Sequence, residues 1–411
     1  MTELAVRFPA SPAVTVAGLL DALAGEPTDG PLSVGDDRIL DFLGRLAHRL
    51  LAPSVARRHP ELGSLGFFLR RGELTQALDR LRSGPPGRLR FPRGLVFHIP
   101  PANVDTIFVY SWALSALAGN RNVVRLSARA GAAAAAAVDA LNAALADAHP
   151  AVGQTQRMVT YGRAADITAR LSKACDLRVI WGGDDAVNAI RGHPLRPQAR
   201  DLTFPDRASF AAVSVAGWQA ATPAERRAAV AAFATDAYWF DQAACASPRA
   251  VYWIGAEPAA AAARTEFDAL LAAAVRDRGW TVDAAMAVRK RVGAYGVAAD
   301  GAATAIRFVA DAVTTLDLAD PAEYPRRWLG TGTFAHATLG ALGDLVHVVR
   351  RQDQTLTHFG FPAAELYDLA AAFGGRGIDR LVPFGSALTF TAVWDGYDLL
   401  HEFTKITSVT H

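Results

Sequence analysis

The stretch that decides the fold is residues 95–126, which read LVFHIPPANVDTIFVYSWALSALAGNRNVVRL. An apolar run at 95–99 is followed by apolar residues at helical spacing over 104–117 and by a second apolar run at 122–126. Two buried strands joined by a helix are typical of a parallel βαβ unit. The sequence therefore predicts an open α/β sheet that contains this unit.

The same alternation continues outward from this stretch. The next predicted elements are a helix at 128–148, a strand at 158–161, a helix at 164–173, a strand at 177–181 and a helix at 184–191. A second unit begins at Thr222-Pro223-Ala224-Glu225, which has the residues of a capping box with proline at the first helical position. We expect a helix from there to about Phe240, a strand at 250–254, helices at 259–278 and 282–292, and strands near 346–349 and 388–393. Residues 1–90 have mostly helical spacing.

Composition excludes several classes of protein. The chain has 411 residues, of which 51% are hydrophobic, and its net charge of +2 comes from 42 basic and 40 acidic residues without a basic stripe. This predicts a globular protein that does not bind nucleic acid. The apolar run at 13–24 contains Asp21 and lacks a basic flank, which argues against a signal peptide. No run reaches the ~20 apolar residues of a membrane span, so we expect a cytoplasmic protein.

Residues 240–249, FDQAACASPR, place one of two cysteines in a polar break between a predicted helix and strand. Two cysteines give no disulfide framework, and neither has metal-ligand spacing, so no metal is expected. Cys175 lies in an apolar setting and is predicted to be core. For Cys245, these residues alone leave a nucleophile and a small buried side chain equally open.

The turns after the predicted strands give a second indication. No Gly-x-Gly-x-x-Gly follows the first strand, so pyrophosphate binding of the usual Rossmann kind is not predicted. Gly182 and Gly183 form a strand-to-helix turn, but Asp184 and Asp185 follow and would repel a phosphate. A neutral ring beside these glycines and a plain turn both remain open.

Five distinctive segments follow one another along the chain: HIPPAN at 98–103, GNRNVVRLS at 119–127, WGGD at 181–184, DQAACASPR at 241–249 and GIDRLVPFG at 377–385. In this order and spacing they resemble the acyl-CoA reductase family of the bacterial luminescence operon, a branch of the aldehyde dehydrogenase superfamily. The resemblance runs from about residue 90 to the C-terminus. It implies an α/β fold with an open, mostly parallel sheet in a cofactor domain and a second α/β catalytic domain.

The resemblance also implies roles for parts of the chain. It implies that 91–220 form a Rossmann-like NADP-binding domain, 221–385 the catalytic domain, and 386–411 a segment that returns to the core or an interface. Residues 1–90, which precede the resemblance, are expected from their helical spacing to form a helical lead-in packed on the cofactor domain. Cys245 would attack a thioester carbonyl and hold the acyl group. The side-chain amide of Asn103 would stabilise the oxyanion, a role compatible with capping the following helix.

The cofactor positions carried over from the family are basic. Arg125 stands where the superfamily usually has a lysine that binds the adenosine ribose or its phosphate, and Ser127 is retained. Where relatives that prefer NAD often have a glutamate, this chain has Ala128 and Arg129, which favours NADPH. Gly182 and Gly183 would leave room for the nicotinamide. Ordinary cations at a strand end and a helix start remain the alternative reading for Arg125 and Arg129.

Other residues have more modest expectations. Thr203 aligns with the glutamate base of hydrolytic aldehyde dehydrogenases, which implies that water does not release the acyl group. Ion pairing is expected for Asp201, beside Arg200, and for Asp206, beside Arg207. His358 could donate a proton, although a structural histidine is the favoured interpretation. A salt bridge that fixes the 377–385 loop is expected for Asp379 and Arg380.

The resulting prediction is an NADPH-dependent reductase that converts an acyl-CoA or acyl-carrier-protein thioester to an aldehyde. A homodimer is expected only by analogy with the superfamily. Two alternatives stay open: a cysteine acyltransferase or thioesterase without a nucleotide, and a non-catalytic scaffold protein with the same fold.

Overall fold

The computed structural model describes residues 3–83, 87–101, 103–162 and 164–410. It divides into two compact units, Met1–Pro205 with Phe390–His411, and Asp206–Thr389. The boundary between the units lies near residue 205, whereas the predicted domain boundary is at residue 220. Residues 1–90 share the first unit with the predicted cofactor domain, and the second unit starts at Asp206 because the strand that follows is central to its sheet.

The first unit contains a sheet with helices along its connections. The strands of this unit up to residue 205 are β1 Glu3–Phe8, β2 Ala10–Thr15, β3 Arg88–Pro92, β4 Leu95–Ile99, β5 Arg121–Leu126, β6 Gln156–Thr160, β7 Leu177–Trp181 and β8 Arg200–Phe204; β3 is not part of the main sheet. Its helices are α1 Val16–Ala24, α2 Asp37–Leu50, α3 Pro53–Ala56, α4 Pro60–Phe68, α5 Arg71–Arg82, α6 Ile107–Leu117, α7 Ala132–Leu145, α8 Pro150–Thr155, α9 Ala165–Ala174 and α10 Asp184–Arg191. The predicted bounds of β4, β7 and α10 are confirmed to the residue.

The strand order in this sheet is β2-β1-β6-β5-β4-β7-β8, and every pair from β6 to β8 is parallel. The two N-terminal strands were not predicted. β1 pairs antiparallel with β2 and with β6, and Leu4, Val6 and Phe8 on its inner face are buried. Alternate burial over six residues is the pattern of a half-buried strand, and it makes the predicted helical lead-in wrong for residues 3–15.

The second unit contains a second sheet. Its elements are β9 Ala208–Ser214, α11 Val215–Ala220, α12 Pro223–Tyr238, β10 Pro248–Ile254, α13 Glu257–Asp277, α14 Ala284–Ala299, β11 Ala303–Val309, β12 Val313–Leu318, β13 Thr333–Leu339, α15 Leu345–Val348, β14 Asp353–Phe359, α16 Ala363–Phe373 and β15 Arg380–Pro383. The strand order is β11-β12-β13-β10-β9-β14-β15, with only the β11–β12 pair antiparallel among the described strands.

Two of the predicted strands in this half of the chain are wrong. Residues 345–348 form the short helix α15, because the apolar run there is too brief for its period to separate helix from strand. Residues 388–392 form no strand. The chain instead returns to the first unit through β16 Val393–Trp394, β17 Tyr397–Asp398, α17 Leu399–Glu402 and β18 Thr404–Ser408. β18 pairs antiparallel with β3, so the predicted return of the C-terminal segment to the core is to the first unit.

Candidate active site

The loop that carries Cys245 joins α12 to β10 in the second unit. α12 begins at the predicted capping box: the Glu225 N–H donates to the Thr222 hydroxyl at 3.3 Å, and the Thr222 N–H donates to the Glu225 carboxylate at 2.7 Å. This reciprocal pair satisfies two N–H groups at the start of the helix. The capping box therefore fixes the residue at which the helix leading to the loop begins.

The backbone of the loop is left-handed at three consecutive residues that are not glycine. Phe240, Asp241 and Gln242 have φ angles of 53°, 54° and 58°. This conformation costs roughly 1–2 kcal/mol for each L-residue, so the surrounding contacts must hold it. Backbone strain of this kind is concentrated at functional sites.

The Gln242 side chain supplies three of the contacts that hold the loop. Its Nε2 donates to the carbonyl oxygens of Pro248 at 2.7 Å and Thr333 at 3.1 Å, and its Oε1 accepts from the Thr333 N–H at 3.1 Å. Pro248 and Thr333 are the first residues of the neighbouring strands β10 and β13. The buried amide therefore ties the loop to the ends of two strands.

A second set of contacts reaches the carbonyl oxygen of Asp241. It accepts hydrogen bonds from the indole N–H of Trp328 at 2.9 Å and from the hydroxyl of Thr331 at 3.1 Å. Both donors lie in the segment that leads into β13. They stabilise the peptide that follows the left-handed Asp241.

The peptide of Cys245 is held directly. Its carbonyl oxygen accepts a hydrogen bond of 2.7 Å from the Ser209 hydroxyl, and the Ser209 oxygen accepts one of 3.1 Å from the Thr355 N–H. Two residues further on, the Ser247 hydroxyl donates to the Asp236 carbonyl oxygen at 2.7 Å. The loop is therefore anchored at the cysteine and after it, while the Cys245 side chain is half-buried.

The two cysteines differ in their surroundings. Cys175 is buried in the apolar core of the first unit, and its thiol donates to the Ser172 carbonyl oxygen at 3.3 Å. Burial raises the pKa of Cys175 to about 12, so this thiol stays protonated at neutral pH. The prediction that Cys175 is a core residue is confirmed.

Arg249 provides positive charge near Cys245. Burial lowers the pKa of Arg249, and electrostatic interaction with Cys245, Tyr324 and Asp206 opposes that decrease. The Arg249 guanidinium therefore interacts electrostatically with the Cys245 side chain. The guanidinium is held by donating from Nη1 to the Arg326 carbonyl oxygen.

Asp236 was not predicted as part of the site. It is buried on α12, and its carboxylate accepts hydrogen bonds from the N–H groups of Gly385 at 2.7 Å and Ala387 at 3.0 Å. Burial raises the pKa of Asp236 to about 7, although these hydrogen bonds lower it. The helix that leads to Cys245 thus also positions the end of the 377–385 segment. An acidic side chain inside the apolar run 229–238 was the available signal.

The 377–385 segment is fixed by contacts that Asp379 and Arg380 make with residues outside it. The Asp379 carboxylate binds Arg207 at 2.5 Å. The Arg380 guanidinium donates to the carbonyl oxygens of Ala387 at 3.0 Å and Thr389 at 3.2 Å. The expectation that charged groups fix this loop is confirmed, with partners more distant in sequence.

The ion pairing expected for Asp201 is confirmed, although its partner is not the neighbouring Arg200. Its carboxylate binds the buried guanidinium of Arg178 through two hydrogen bonds of 2.7 and 2.9 Å, whereas Arg200 pairs with Glu402. Thr203 lies beside them on β8. His358 lies on β14 in the second unit, and burial lowers its pKa, which disfavours the protonated form that a proton donor requires.

In the first unit, the remaining candidate residues follow the carboxyl ends of three neighbouring strands. Asn103 follows β4, Ser127 and Arg129 follow β5, and Gly182 and Gly183 follow β7. Ligands of open α/β sheets bind at this edge. The structure therefore brings these residues to one edge, while Cys245 belongs to the other unit.

The basic residues at this edge are accessible. The Arg125 guanidinium lies 4.8 Å from the centre of the Tyr161 ring and donates to the Gly162 carbonyl oxygen at 3.5 Å. The Ser127 hydroxyl accepts from the N–H of the exposed Arg129 at 3.1 Å. Within the described ranges, no carboxylate lies within 4.0 Å of either guanidinium. These cations fit a site for a phosphate group.

Asp105 is a further residue at this edge that the sequence did not reveal. Its carboxylate accepts from the N–H groups of Gly131 at 3.1 Å and Ala134 at 3.4 Å, at the start of α7. A negative charge at a helix N-terminus is stabilising. The start of α7 is thus already capped, whereas Gly183 precedes α10 without a side-chain cap.

No group of three or more His, Cys, Asp and Glu side chains among the described residues is placed to hold a metal ion. Among the helices that the structure describes, none combines the length and the apolar character needed to cross a bilayer.

Comparison with solved structures defines the class of the fold. The chain is similar to an NAD-dependent aldehyde dehydrogenase from Sinorhizobium meliloti, with a TM-score of 0.68 and 14% identity over 96% of this chain and 86% of the other. It is also similar to a putative aldehyde dehydrogenase from Burkholderia cenocepacia, with a TM-score of 0.66 and 16% identity over 96% and 90%. The protein has the fold of the aldehyde dehydrogenase superfamily, as predicted.

The family follows from the sequence. The model of the family described as Acyl-CoA reductase (LuxC) matches residues 72–286, more than half of the chain. The protein belongs to this family of oxidoreductases. A stretch of 172 residues is 27% identical to the long-chain acyl-protein thioester reductase of Photorhabdus luminescens, and covers 40% of this chain and 33% of that protein.

Proposed function

We propose that the protein reduces an acyl thioester, of coenzyme A or of an acyl-carrier protein, to an aldehyde with NADPH. The acyl group would be carried on Cys245. The observation that carries this proposal is the construction of the cysteine loop: three left-handed residues, Phe240 to Gln242, precede a half-buried thiol and are held by the hydrogen bonds of the Gln242 side chain and of the Asp241 carbonyl oxygen. A cysteine with only a packing role would not require a strained and heavily anchored loop.

The chemistry begins with the thiolate of Cys245, whose side chain interacts electrostatically with Arg249. Its sulfur attacks the thioester carbonyl carbon, and the carbonyl electrons move to oxygen. When the carbonyl re-forms, the bond to the carrier's sulfur breaks and the carrier leaves as a thiolate that takes up a proton. The Asn103 amide is proposed to stabilise the oxyanion, as the family resemblance implies. The product of this half-reaction is an acyl-thioester on Cys245.

The cofactor is assigned to the first unit. Arg125, Ser127 and Arg129 would bind the ribose and its 2′-phosphate, and Gly182 and Gly183 would border the nicotinamide. Support comes from the two guanidinium groups without a carboxylate partner among the described residues and from their position at the carboxyl edge of the sheet. When bound, NADPH supplies the hydride that reduces the acyl group and frees the cysteine sulfur.

The proposal also states why the acyl group is not released as an acid. Thr203 stands at the position aligned with the glutamate base of hydrolytic relatives, and a hydroxyl is a poor base at neutral pH. We therefore expect aldehyde rather than carboxylate as the main product. A cytoplasmic homodimer completes the proposal, and light scattering on the purified protein tests the dimer.

The deciding experiment measures NADPH oxidation with acyl-CoA and acyl-carrier-protein thioesters of several chain lengths. Cys245→Ala should abolish turnover, and mass spectrometry should find an acyl group on the parent protein but not on this variant. Cys175→Ala is the matched control, because it removes the other thiol and leaves the loop intact. Turnover retained in Cys245→Ala would reject the mechanism, and acyl transfer without NADPH as the sole activity would favour an acyltransferase or thioesterase.

A further inference from the structure

The first unit contains a cavity of about 560 Å³ on the side of its sheet opposite to the proposed cofactor site. It is bordered by Leu95 and Arg121, the first residues of β4 and β5, and by Asp176, which directly precedes β7. The cofactor candidates follow the carboxyl ends of these strands. Five residues at about 3.3 Å each separate the two edges by roughly 15 Å, so the cavity is a separate site.

The walls of the cavity are mostly apolar. Leu20, Leu23 and Ala24 of α1 form one side, and Pro27 and Leu32 of the following segment continue it. Small-molecule sites usually have volumes of about 300–1,000 Å³ and walls of this character with a few polar groups. The cavity therefore has the size and lining of a site for a largely apolar molecule.

Two glycines that border the cavity lie close to neighbouring parts of the chain. Gly94 and Gly119 have φ angles of 128° and 82°, which disfavour other residues. A Cβ on Gly119 would lie 2.7 Å from the Ser33 carbonyl oxygen, and one on Gly94 would lie 2.2 Å from an Asp176 oxygen. Glycine is therefore required at both positions by the close approach of Ser33 and Asp176.

The charges around the cavity do not balance. Both oxygens of the Asp176 carboxylate accept hydrogen bonds, one from the Leu95 N–H at 2.8 Å and the other from Arg196 at 2.7 Å. The Arg121 guanidinium donates to the Gly25 carbonyl oxygen at 3.1 Å. Among the residues with described positions, no carboxylate lies within 4.0 Å of it. In addition, the Nε of Arg196 is buried without a hydrogen-bond partner.

We propose that this cavity binds an amphipathic carboxylate, a molecule with one carboxylate and an apolar chain. The carboxylate would pair with the Arg121 guanidinium, whose planar set of donors matches it, and the chain would lie against the leucines and prolines of the walls. A phosphate ester with a polar body would make no apolar contacts with these walls. A neutral apolar molecule would supply no negative charge to the Arg121 guanidinium. None of these residues takes part in the proposed reaction, so this inference does not rest on it.

The test is calorimetric titration of the full protein with decanoate below its micellar concentration. We expect saturable binding of one decanoate, weakened at least about tenfold by Arg121→Gln because a hydrogen bond to a charged group is lost. Ala24→Trp, which places a large ring from an exposed position at the wall, should abolish binding. Arg170→Gln and Ala22→Trp are the matched controls on exposed positions outside the cavity, and both should bind like the parent.

Two further measurements make the outcome decisive. Cys245→Ala should bind decanoate normally, which separates this site from the proposed active site, and decanol should bind more weakly than decanoate. Absence of saturable decanoate binding would overturn the proposal. So would equal affinities in the parent, Arg121→Gln and Ala24→Trp. Circular dichroism of each variant confirms that it is folded.

Discussion

The Ser209 hydroxyl donates a 2.7 Å hydrogen bond to the peptide carbonyl of Cys245. Ser209 lies on β9, a central strand of the second sheet, and its oxygen is itself fixed by the Thr355 N–H of the neighbouring β14. One buried hydroxyl thus connects the cysteine peptide to two strands of the sheet. The position of the thiol therefore depends on the sheet as well as on the loop.

This relationship predicts the effect of Ser209→Ala. The variant leaves the Cys245 carbonyl and the Thr355 N–H without their partner, which should lower the free energy of unfolding by about 1–3 kcal/mol. It should also slow acylation of Cys245, measured by mass spectrometry of quenched samples. Ser214→Ala is the control on the same strand, because it removes a helix cap of similar energy. Equal acylation rates in the two variants would contradict the proposed positioning role.

Asp236→Asn tests the connection between α12 and the 377–385 segment. The carboxylate accepts from two backbone N–H groups, whereas an asparagine presents an NH₂ group that must oppose one of these donors. We expect a loss of about 1–3 kcal/mol in stability and faster hydrogen exchange at Gly385 and Ala387. Exchange in the first sheet, for example at Val123, serves as the internal control. Unchanged exchange at both glycine and alanine would show that Asp236 does not hold the segment.

His98 predicts a specific pH dependence. It is buried, its ring nitrogens lie 2.9 Å from the Ser111 hydroxyl and from the side-chain amide oxygen of Asn122, and burial lowers its pKa from 6.5 to about 4. The unfolded state therefore takes up a proton first as the pH falls. The stability contributed by neutral His98 is present above pH 6.5 and is lost towards pH 4, by about 3 kcal/mol.

The measurement compares urea unfolding of the parent and His98→Asn across this range. The variant should be less stable at pH 7, and its deficit should shrink as the pH falls from 6.5 to 4. Above pH 7 the difference in unfolding free energy between the parent and His98→Asn should stay constant, which is the internal control. A deficit that stays constant down to pH 4 would mean that His98 is not responsible for this part of the acid sensitivity.

An element of the fold could be predicted from the sequence where its own segment contains the pattern that specifies it. Leu95–Ile99 and Leu177–Trp181 were predicted to the residue because each is an apolar run bounded by residues that break the pattern. The capping box at Thr222 is equally local. By contrast, the first strand, Glu3–Phe8, alternates apolar and polar residues, but its pairing with β2 and with the distant β6 is not visible in its own segment.

The site shows the same division. The candidate cysteine could be found from its own segment, but its anchors could not. Ser209 is 36 residues from Cys245 in sequence, and Thr333 is 91 residues from Gln242. A serine or threonine in a strand cannot be recognised from the sequence as an anchor of the cysteine loop, because the contact forms only when the sheet assembles. The true partners of Asp201 and Asp379 were missed for this reason, since neighbours in sequence are not neighbours in a parallel sheet.

The positive charge of Arg125 and Arg129 predicts which cofactor the protein prefers. Arg125 and Arg129 have no carboxylate partner within the described residues, so a 2′-phosphate would meet uncompensated positive charge. We expect the parent to bind NADPH more tightly than NADH, as measured by fluorescence of the reduced nicotinamide. Arg125→Ala and Arg129→Ala should each narrow the difference by roughly tenfold, because a charge-assisted hydrogen bond is lost. Arg170→Ala, on an exposed helix position, should leave the ratio unchanged. Added salt should also reduce the preference, since the interaction is between exposed charges; equal affinities for the two cofactors in the parent would reject this assignment.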